Sequence, residues 1–116
     1  MRKIEHEMIT AIKEKRCWGN SNTEVVVNSS KYIENYKEEV LIFLHGNLIA
    51  TIIPNSEVTI SDCGHQTATT KSRLNAILWE LAKARIYSKN SIWYLSTAKD
   101  GDRIMDEHTS ITIPIN

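Results

Sequence analysis

Two apolar runs on either side of a short turn limit what this chain can fold into more than any other feature. The runs cover residues 40–44 and 48–53, and His45-Gly46-Asn47 separates them. Two strand-forming runs joined by a short turn that contains Gly and Asn predict an antiparallel β-hairpin. An isolated hairpin is marginal in water. The rest of the chain is therefore expected to supply further strands and a covering layer of helices.

Further strands are predicted before and after this hairpin. The β-branched run at residues 23–28 reads as a strand, residues 57–61 as the next, and residues 92–96 as another. Residues 110–115 alternate Ile with polar residues and predict a late strand, in which Pro114 favours an edge position.

The segments between these strands are predicted to be irregular. The polar residues 28–39 are expected to form a loop or a short helical turn, residues 86–90 a connection, and residues 98–102 a turn with an Asp-Gly pair.

Two segments carry helical periodicity. Apolar residues at helical spacing predict a first helix from Ile4, which is expected to end at residues 17–20 with Gly19 or Asn20 as a left-handed cap. A second helix is predicted over residues 70–85. Its apolar face consists of Leu74, Ile77, Leu78 and Leu81. This order of elements indicates an α+β fold, a mainly antiparallel sheet with two helices packed on one face, in a single domain over residues 1–116.

Charge and composition exclude some classes of function. The chain has 14 basic and 14 acidic residues, so its formal net charge is zero and no global basic field drives it towards nucleic acid. The N-terminus lacks a hydrophobic signal core, and the apolar runs are too short to span a membrane. We therefore expect a cytoplasmic protein in which Cys17 and Cys63 are free thiols.

Three segments together resemble a known group of proteins. The first is Ile4-Glu5 with Met8, Ala11-Ile12, Trp18 and Asn22-Thr23, and the second is the hairpin sequence Leu44-His45-Gly46-Asn47-Leu48-Ile49-Ala50. The third is the segment from Gly64 to Leu78 with the Gly-x-x-Thr-x-Thr-Thr-Lys-x-Arg-Leu-Asn pattern, followed by the Trp93-Tyr94 strand. This combination is similar to small uncharacterised proteins encoded by tailed bacteriophages. The resemblance covers roughly residues 3 to 95. It implies a phage origin and action in the infected bacterial cell, and it assigns no catalytic residues.

The start of the second helix is the leading candidate for a ligand site. Lys71 and Arg73 lie where a helix dipole disfavours cations, and no acid accompanies them. Thr69 and Thr70 offer a hydroxyl cap and further donors. Cations, hydroxyls and backbone N–H groups at a helix start can bind a phosphate. The alternative is plain capping with two solvated cations. If the helix start does bind a phosphate, replacing Lys71 and Arg73 with Ala should weaken binding and leave the fold intact.

The far side of the same helix carries a second candidate. Trp79 is predicted to lie opposite the apolar face, with Asn75 and Lys83 near it. A nucleic-acid base could stack on this ring. The leading hypothesis is thus a non-enzymatic protein that binds nucleic acid or another phosphate-bearing ligand. The alternative function is a module that inhibits or redirects a host protein, such as a defence factor, with Trp79, Tyr32 and Tyr36 as anchors. A purely structural interpretation is that Trp79 is buried under the loop around Tyr32 and Tyr36.

A third hypothesis is an enzyme that depends on Cys63 and His65. Cysteine catalysis needs a base within hydrogen-bonding reach of the sulfur, which sequence does not show. Asp62 and His45 extend this cluster, but paired ligands at zinc spacing are missing. The acidic residues near 100–107 lack the full calcium-loop pattern. We therefore expect no metal, no cofactor and no membrane partner.

Overall fold

The computed structural model describes residues 1–29 and 37–115. Helix α1 spans Lys3–Glu14 and helix α2 spans Ala68–Ala82. The strands are β1 (Trp18–Asn20), β2 (Thr23–Asn28), β3 (Glu39–Leu44), β4 (Asn47–Ile53), β5 (Glu57–Ser61), β6 (Arg85–Lys89), β7 (Ile92–Thr97), β8 (Gly101–Ile104) and β9 (Ser110–Pro114). The segment expected to be a loop or a helical turn lies largely outside the described residues.

These strands form two antiparallel sheets within the described residues. The large sheet has the order β1-β2-β3-β4-β5-β9, and the small sheet has the order β6-β7-β8. Every paired neighbour is antiparallel. The predicted α+β class is confirmed. Strand β9 with Pro114 lies at an edge of the large sheet, as expected, because proline has no N–H to donate to a further strand.

The predicted hairpin is strands β3 and β4. His45 and Gly46 connect them, with φ angles of 51° and 79°. Positive φ at both central residues is the geometry whose twist matches that of the flanking strands. Glycine adopts such angles without the steric cost that a side chain brings. The hairpin therefore closes as its sequence predicts.

The apolar face of α2 packs into the core. Leu74, Ile77 and Leu78 are fully buried, while Leu81 is half-buried at the margin. The same core contains Ile42 and Ile60 from the large sheet. The helical and strand periodicities thus meet in one apolar cluster, as predicted.

The structure corrects three of the predicted boundaries. Residues 85–89 are strand β6 and not a connection, since Ile86 packs inward and Asn90-Ser91 closes a hairpin with positive φ at both residues. Helix α1 ends at a left-handed Lys15, so Gly19 and Asn20 belong to strand β1 and do not cap the helix. Helix α2 begins and ends two to three residues earlier than expected.

Candidate nucleic-acid interface

Threonine hydroxyls organise the start of α2. The N-cap is Thr67, whose Oγ1 accepts a hydrogen bond from the Thr70 backbone N–H at 3.1 Å. The hydroxyls of Thr67 and Thr70 also lie 3.0 Å apart, and Thr70 is buried. The expectation that Thr69 or Thr70 caps the helix is therefore wrong. Thr69 is half-buried at the edge of a cleft.

Arg73 lies in a buried ion pair. Its Nη1 donates to Glu5 Oε2 at 2.8 Å, and its Nε donates to Thr23 Oγ1 at 3.0 Å. Asn22 accepts a longer bond, and Ser72 donates its hydroxyl to the same Glu5 oxygen at 2.5 Å. Arg73 is 3% exposed and Glu5 is 1% exposed. The expectation that Arg73 is a solvated cation is wrong, because its missing acid comes from α1.

Hydrogen bonding also decides the ionisation of Glu5. Burial raises the pKa of this carboxyl, but hydrogen bonds from Ser72, the Arg2 backbone N–H and Arg73, with the charge of Arg73, outweigh burial and lower the pKa overall. The Arg2 contact is one half of a capping box at the start of α1, in which the N3 carboxylate of Glu5 accepts from the N-cap backbone N–H. One carboxylate therefore caps its own helix and neutralises a cation on the next.

Lys71 and Asn75 are turned towards the small sheet. The Lys71 ammonium donates to Ser88 Oγ at 3.2 Å and lies 5.9 Å from the centre of the buried Trp93 ring. The Asn75 amide donates to the Ile86 carbonyl at 2.9 Å and accepts from the Ile86 N–H at 2.6 Å. Asn75 thus pairs with the backbone of β6 as a neighbouring strand would. Both residues connect α2 to the small sheet.

Trp79 and Lys83 lie on the exposed side of α2. Trp79 is 54% exposed, and the Lys83 ammonium is 5.2 Å from the centre of its ring. The expected position opposite the apolar face is confirmed. Lys83 is also the left-handed C-cap of the helix. An apolar ring and a positive charge therefore lie side by side at this exposed position.

The outer face of the small sheet carries a second pair of the same kind. The Arg85 guanidinium lies 5.5 Å from the centre of the Tyr87 ring. Tyr87 and its cross-strand partner Tyr94 stack with centroids 5.4 Å apart and an angle of 16° between the planes. Side chains alternate along a strand, so Lys89 shares this face, while Ile86 lies on the buried face.

We call the exposed and half-buried residues of these two groups together the aromatic-cation surface. Lys83 and Arg85 are separated by a single residue in the chain, where the end of α2 leads into β6. The surface consists of Trp79, Lys83, Arg85, Tyr87, Lys89 and Tyr94. Sequence reasoning included the first two and missed the other four. The alternation of Arg85, Tyr87 and Lys89 with Ile86 and Ser88 was the signal that identifies the three residues of β6. Tyr94 joins them only through the register between β6 and β7.

One acid lies beside the tyrosines on this face. The Tyr87 hydroxyl donates to Asp102 Oδ2 at 2.5 Å. This bond raises the pKa of Tyr87 and, together with a bond from Ser96, lowers the pKa of Asp102. The carboxylate therefore stays ionised and holds the ring of Tyr87 in place. Asp102 comes from the acidic cluster of the sequence, and its observed partners are the hydroxyls of Tyr87 and Ser96.

A cleft of about 380 Å³ lies at the start of α2. Polar side chains from the β3–β4 turn and the segment before α2 line it, including His45, Asn47, His65, Thr67 and Thr69. The cleft contains residues from two candidate sites that were predicted separately from the sequence. These are the threonines at the start of α2 and the histidines of the proposed cysteine-dependent enzyme. Neither Lys71 nor Arg73 lines it.

The Asp62–Cys63 turn has structural partners. The Asp62 carboxylate accepts from the Gly64 N–H at 2.7 Å, from Gln66 Nε2 at 3.0 Å and from the His108 N–H at 2.9 Å. The Cys63 thiol donates to the Leu48 carbonyl at 3.0 Å. The His108 bond joins the segment before α2 to the segment before β9, and the Cys63 bond joins it to β4. The turn therefore has a structural role in holding these segments together.

Among residues 1–29 and 37–115, no group of three His, Cys, Asp or Glu side chains is placed to hold a metal ion. Cys17 and Cys63 are both free thiols, and Cys17 is the more exposed. Neither described helix is long and apolar enough to cross a membrane.

Comparison with known proteins relates the chain to a protein family. The family model described as Kyanoviridae Gp96 protein matches residues 1–111. No curated protein and no solved structure matches the chain. The family match confirms the predicted relationship to a small protein family of tailed bacteriophages, and it extends beyond residue 95, where the predicted resemblance ended.

Proposed function

The chain belongs to the Kyanoviridae Gp96 protein family, and we propose that this phage protein acts without catalysis, by binding nucleic acid in the cytoplasm of the infected cell. One observation carries the proposal: Trp79 is 54% exposed, with the Lys83 ammonium 5.2 Å from its ring. Tryptophan is highly buried on average. An exposed indole that keeps a cation beside it is therefore suited to a ligand that is both aromatic and anionic.

A nucleotide has both properties. Its base has a π-face that can stack on an indole, and its phosphate is attracted to an ammonium. Stacking of a base on an aromatic side chain contributes about 1–3 kcal/mol per base. In this proposal Trp79 contacts a base and Lys83 contacts the neighbouring phosphate.

The other predicted site residues have supporting parts in this proposal. Arg73 and Thr70 stabilise the start of α2, and Lys71 and Asn75 fix α2 against the small sheet, so that Trp79 is held in position. Thr69 faces the cleft at the helix start, where a phosphate group would meet hydroxyl and imidazole donors.

The test is a titration with fluorescein-labelled oligonucleotides, followed by fluorescence anisotropy at low salt. We expect wild-type protein to bind. Trp79→Ala should weaken binding about 5- to 100-fold, whereas Trp79→Phe should keep most of the affinity because a ring remains. Arg16→Ala, which removes an exposed cation beyond α1, is the control. Absence of binding to single-stranded and duplex oligonucleotides at low salt would exclude nucleic acid as the ligand.

A protein partner is the second candidate function. The zero net charge favours it, since nucleic-acid-binding domains generally carry a basic surplus. Tryptophan is also enriched among the residues that dominate protein interfaces. The other two proposed anchors, Tyr32 and Tyr36, lie outside the described residues. A pull-down from infected-cell extract, with and without nuclease, separates the two functions: a nuclease-resistant host protein that Trp79→Ala no longer captures favours this candidate.

A further inference from the structure

We propose that the ligand is a single nucleic-acid strand and that it continues from Trp79 across the outer face of the small sheet. Tyr87 and Tyr94 would contact its bases, and Arg85 and Lys89 would contact its phosphates. This inference rests on the proposed function and names the form of nucleic acid and the surface that binds it.

The aromatic side chains of this face lie outside the hydrophobic core and are partly accessible from solvent. Tyr87 and Tyr94 are both half-buried, and their rings stack on each other on the face opposite the buried Ile86 and Leu95. The Asp102 bond fixes the Tyr87 ring, and strand pairing fixes its backbone. Preordered rings bind a base at a low cost in side-chain entropy.

The charges of the surface are complementary to a phosphate backbone. Lys83, Arg85 and Lys89 are exposed cations that follow one another along the end of α2 and the length of β6. The acid on the outer face of the small sheet is Asp102, and its carboxylate is engaged by the Tyr87 hydroxyl. A chain with zero net charge thus concentrates three cations beside three aromatic rings.

Exposed apolar side chains at the margins favour unpaired bases. Ile92 is 42% exposed, and Ile104, the cross-strand partner of Tyr94, is 54% exposed. In a duplex the bases stack on each other and turn only their edges towards the grooves. In a single strand the base faces are free to cover tyrosine and isoleucine side chains. The combination of rings, apolar margins and cations therefore fits a single strand better than a duplex.

The experiment compares variants of this face with variants of Trp79 in the same anisotropy titration. Tyr94→Thr removes a ring and keeps a residue suited to a strand, while Tyr94→Phe keeps the ring and is its matched control. Arg85→Ala and Lys89→Ala change exposed side chains, so they test the face even if Tyr94→Thr fails to fold. Arg16→Ala makes the same change in charge outside the surface.

We expect wild-type protein to bind a single strand at least 10-fold more tightly than the duplex of the same sequence. Tyr94→Thr should weaken single-strand binding about 5- to 100-fold, and Arg85→Ala and Lys89→Ala should weaken it several-fold. Tyr94→Phe should keep most of the affinity because a ring remains, and Arg16→Ala should bind as wild type. Single-strand binding that depends on Trp79 but is unchanged in Arg85→Ala, Lys89→Ala and folded Tyr94→Thr would overturn this inference alone. Equal or tighter binding of the duplex would also overturn it. Absence of binding to any oligonucleotide overturns the proposed function itself.

Discussion

A buried cation in α2 depends on a single carboxylate from α1. Arg73 and Glu5 are both almost fully buried. Arg73 also donates a hydrogen bond to Thr23, and Glu5 also accepts one from Ser72. Removing one partner of a buried ion pair leaves the other charge uncompensated, which costs about 3–5 kcal/mol. The sequence predicted that substitution of Arg73 leaves the fold intact. The buried pair indicates instead that this substitution destabilises the fold.

The first prediction tests this pair by deletion of the acid. Glu5→Ala should lower the free energy of unfolding by about 3–5 kcal/mol, because it leaves Arg73 buried and unpaired. Urea denaturation followed by circular dichroism measures the change. Glu14→Ala, at an exposed position of the same helix, should change stability by less than about 0.5 kcal/mol. Similar stability of the two variants would contradict a buried pair.

The second prediction concerns acid. The folded structure lowers the pKa of Glu5, so its carboxylate contributes stability that is present above the unfolded pKa, about 4.3, and is lost as pH falls through the folded value. Wild-type protein should therefore lose stability below about pH 4, and Glu5→Gln should show a flatter dependence over that range. Urea midpoints from pH 2.5 to pH 6 measure both slopes. Parallel curves would indicate that Glu5 is not the titrating group.

At the scale of elements, the N-cap of α2 gives a third prediction. Thr67 accepts from the Thr70 N–H, whereas Thr69 lies within the helix. Thr67→Ala should destabilise the protein by about 1 kcal/mol because an N-terminal backbone donor loses its acceptor. Thr69→Ala is the matched control and should have little effect. Thermal unfolding of both variants decides between the two caps, and a larger loss in Thr69→Ala would contradict the observed capping.

The elements also show how far the sequence predicts this molecule. The β3–β4 hairpin and the buried face of α2 could be predicted from local patterns. Turn geometry and a 3.6-residue period both depend only on residues that are close together in the chain. Strand β6 was missed because its turn, Asn90-Ser91, lacks glycine. The short β8 alternates too little to be recognised. Local signals do not predict a strand that forms mainly because it pairs with a neighbouring strand, since that pairing is not visible in the strand's own residues.

The candidate site was less predictable than the fold, for a related reason. The cations at the start of α2 were conspicuous because no nearby residue in the chain compensated them. Glu5, which compensates Arg73, is separated from it by most of the chain and meets it only in the folded structure. Trp79 could be placed from helical spacing alone, since its exposure depends on one element. The tyrosine pair depends on the register between β6 and β7, which sequence did not provide.

At the scale of the whole molecule, the balance of 14 basic and 14 acidic residues makes long-range attraction to nucleic acid weak. Any salt dependence of binding must then come from the few phosphates that the surface contacts. Three contacts, one each for Lys83, Arg85 and Lys89, predict that log K falls with log[salt] with a slope of about −2 for a single strand. Affinity should drop roughly 20-fold between 50 mM and 200 mM salt.

The last prediction is this salt dependence of binding. Substitution of the three cations one at a time measures how many phosphates the surface contacts. Replacing any one of the three cations with Ala should reduce the magnitude of the slope by about 0.7, while Arg16→Ala should leave it unchanged. Trp79→Phe should lower affinity only slightly at every salt concentration and keep the slope, because stacking involves no counterion release. A slope near zero in wild type would mean that phosphates are not bound, and the exposed aromatic rings would then be better explained by a protein partner.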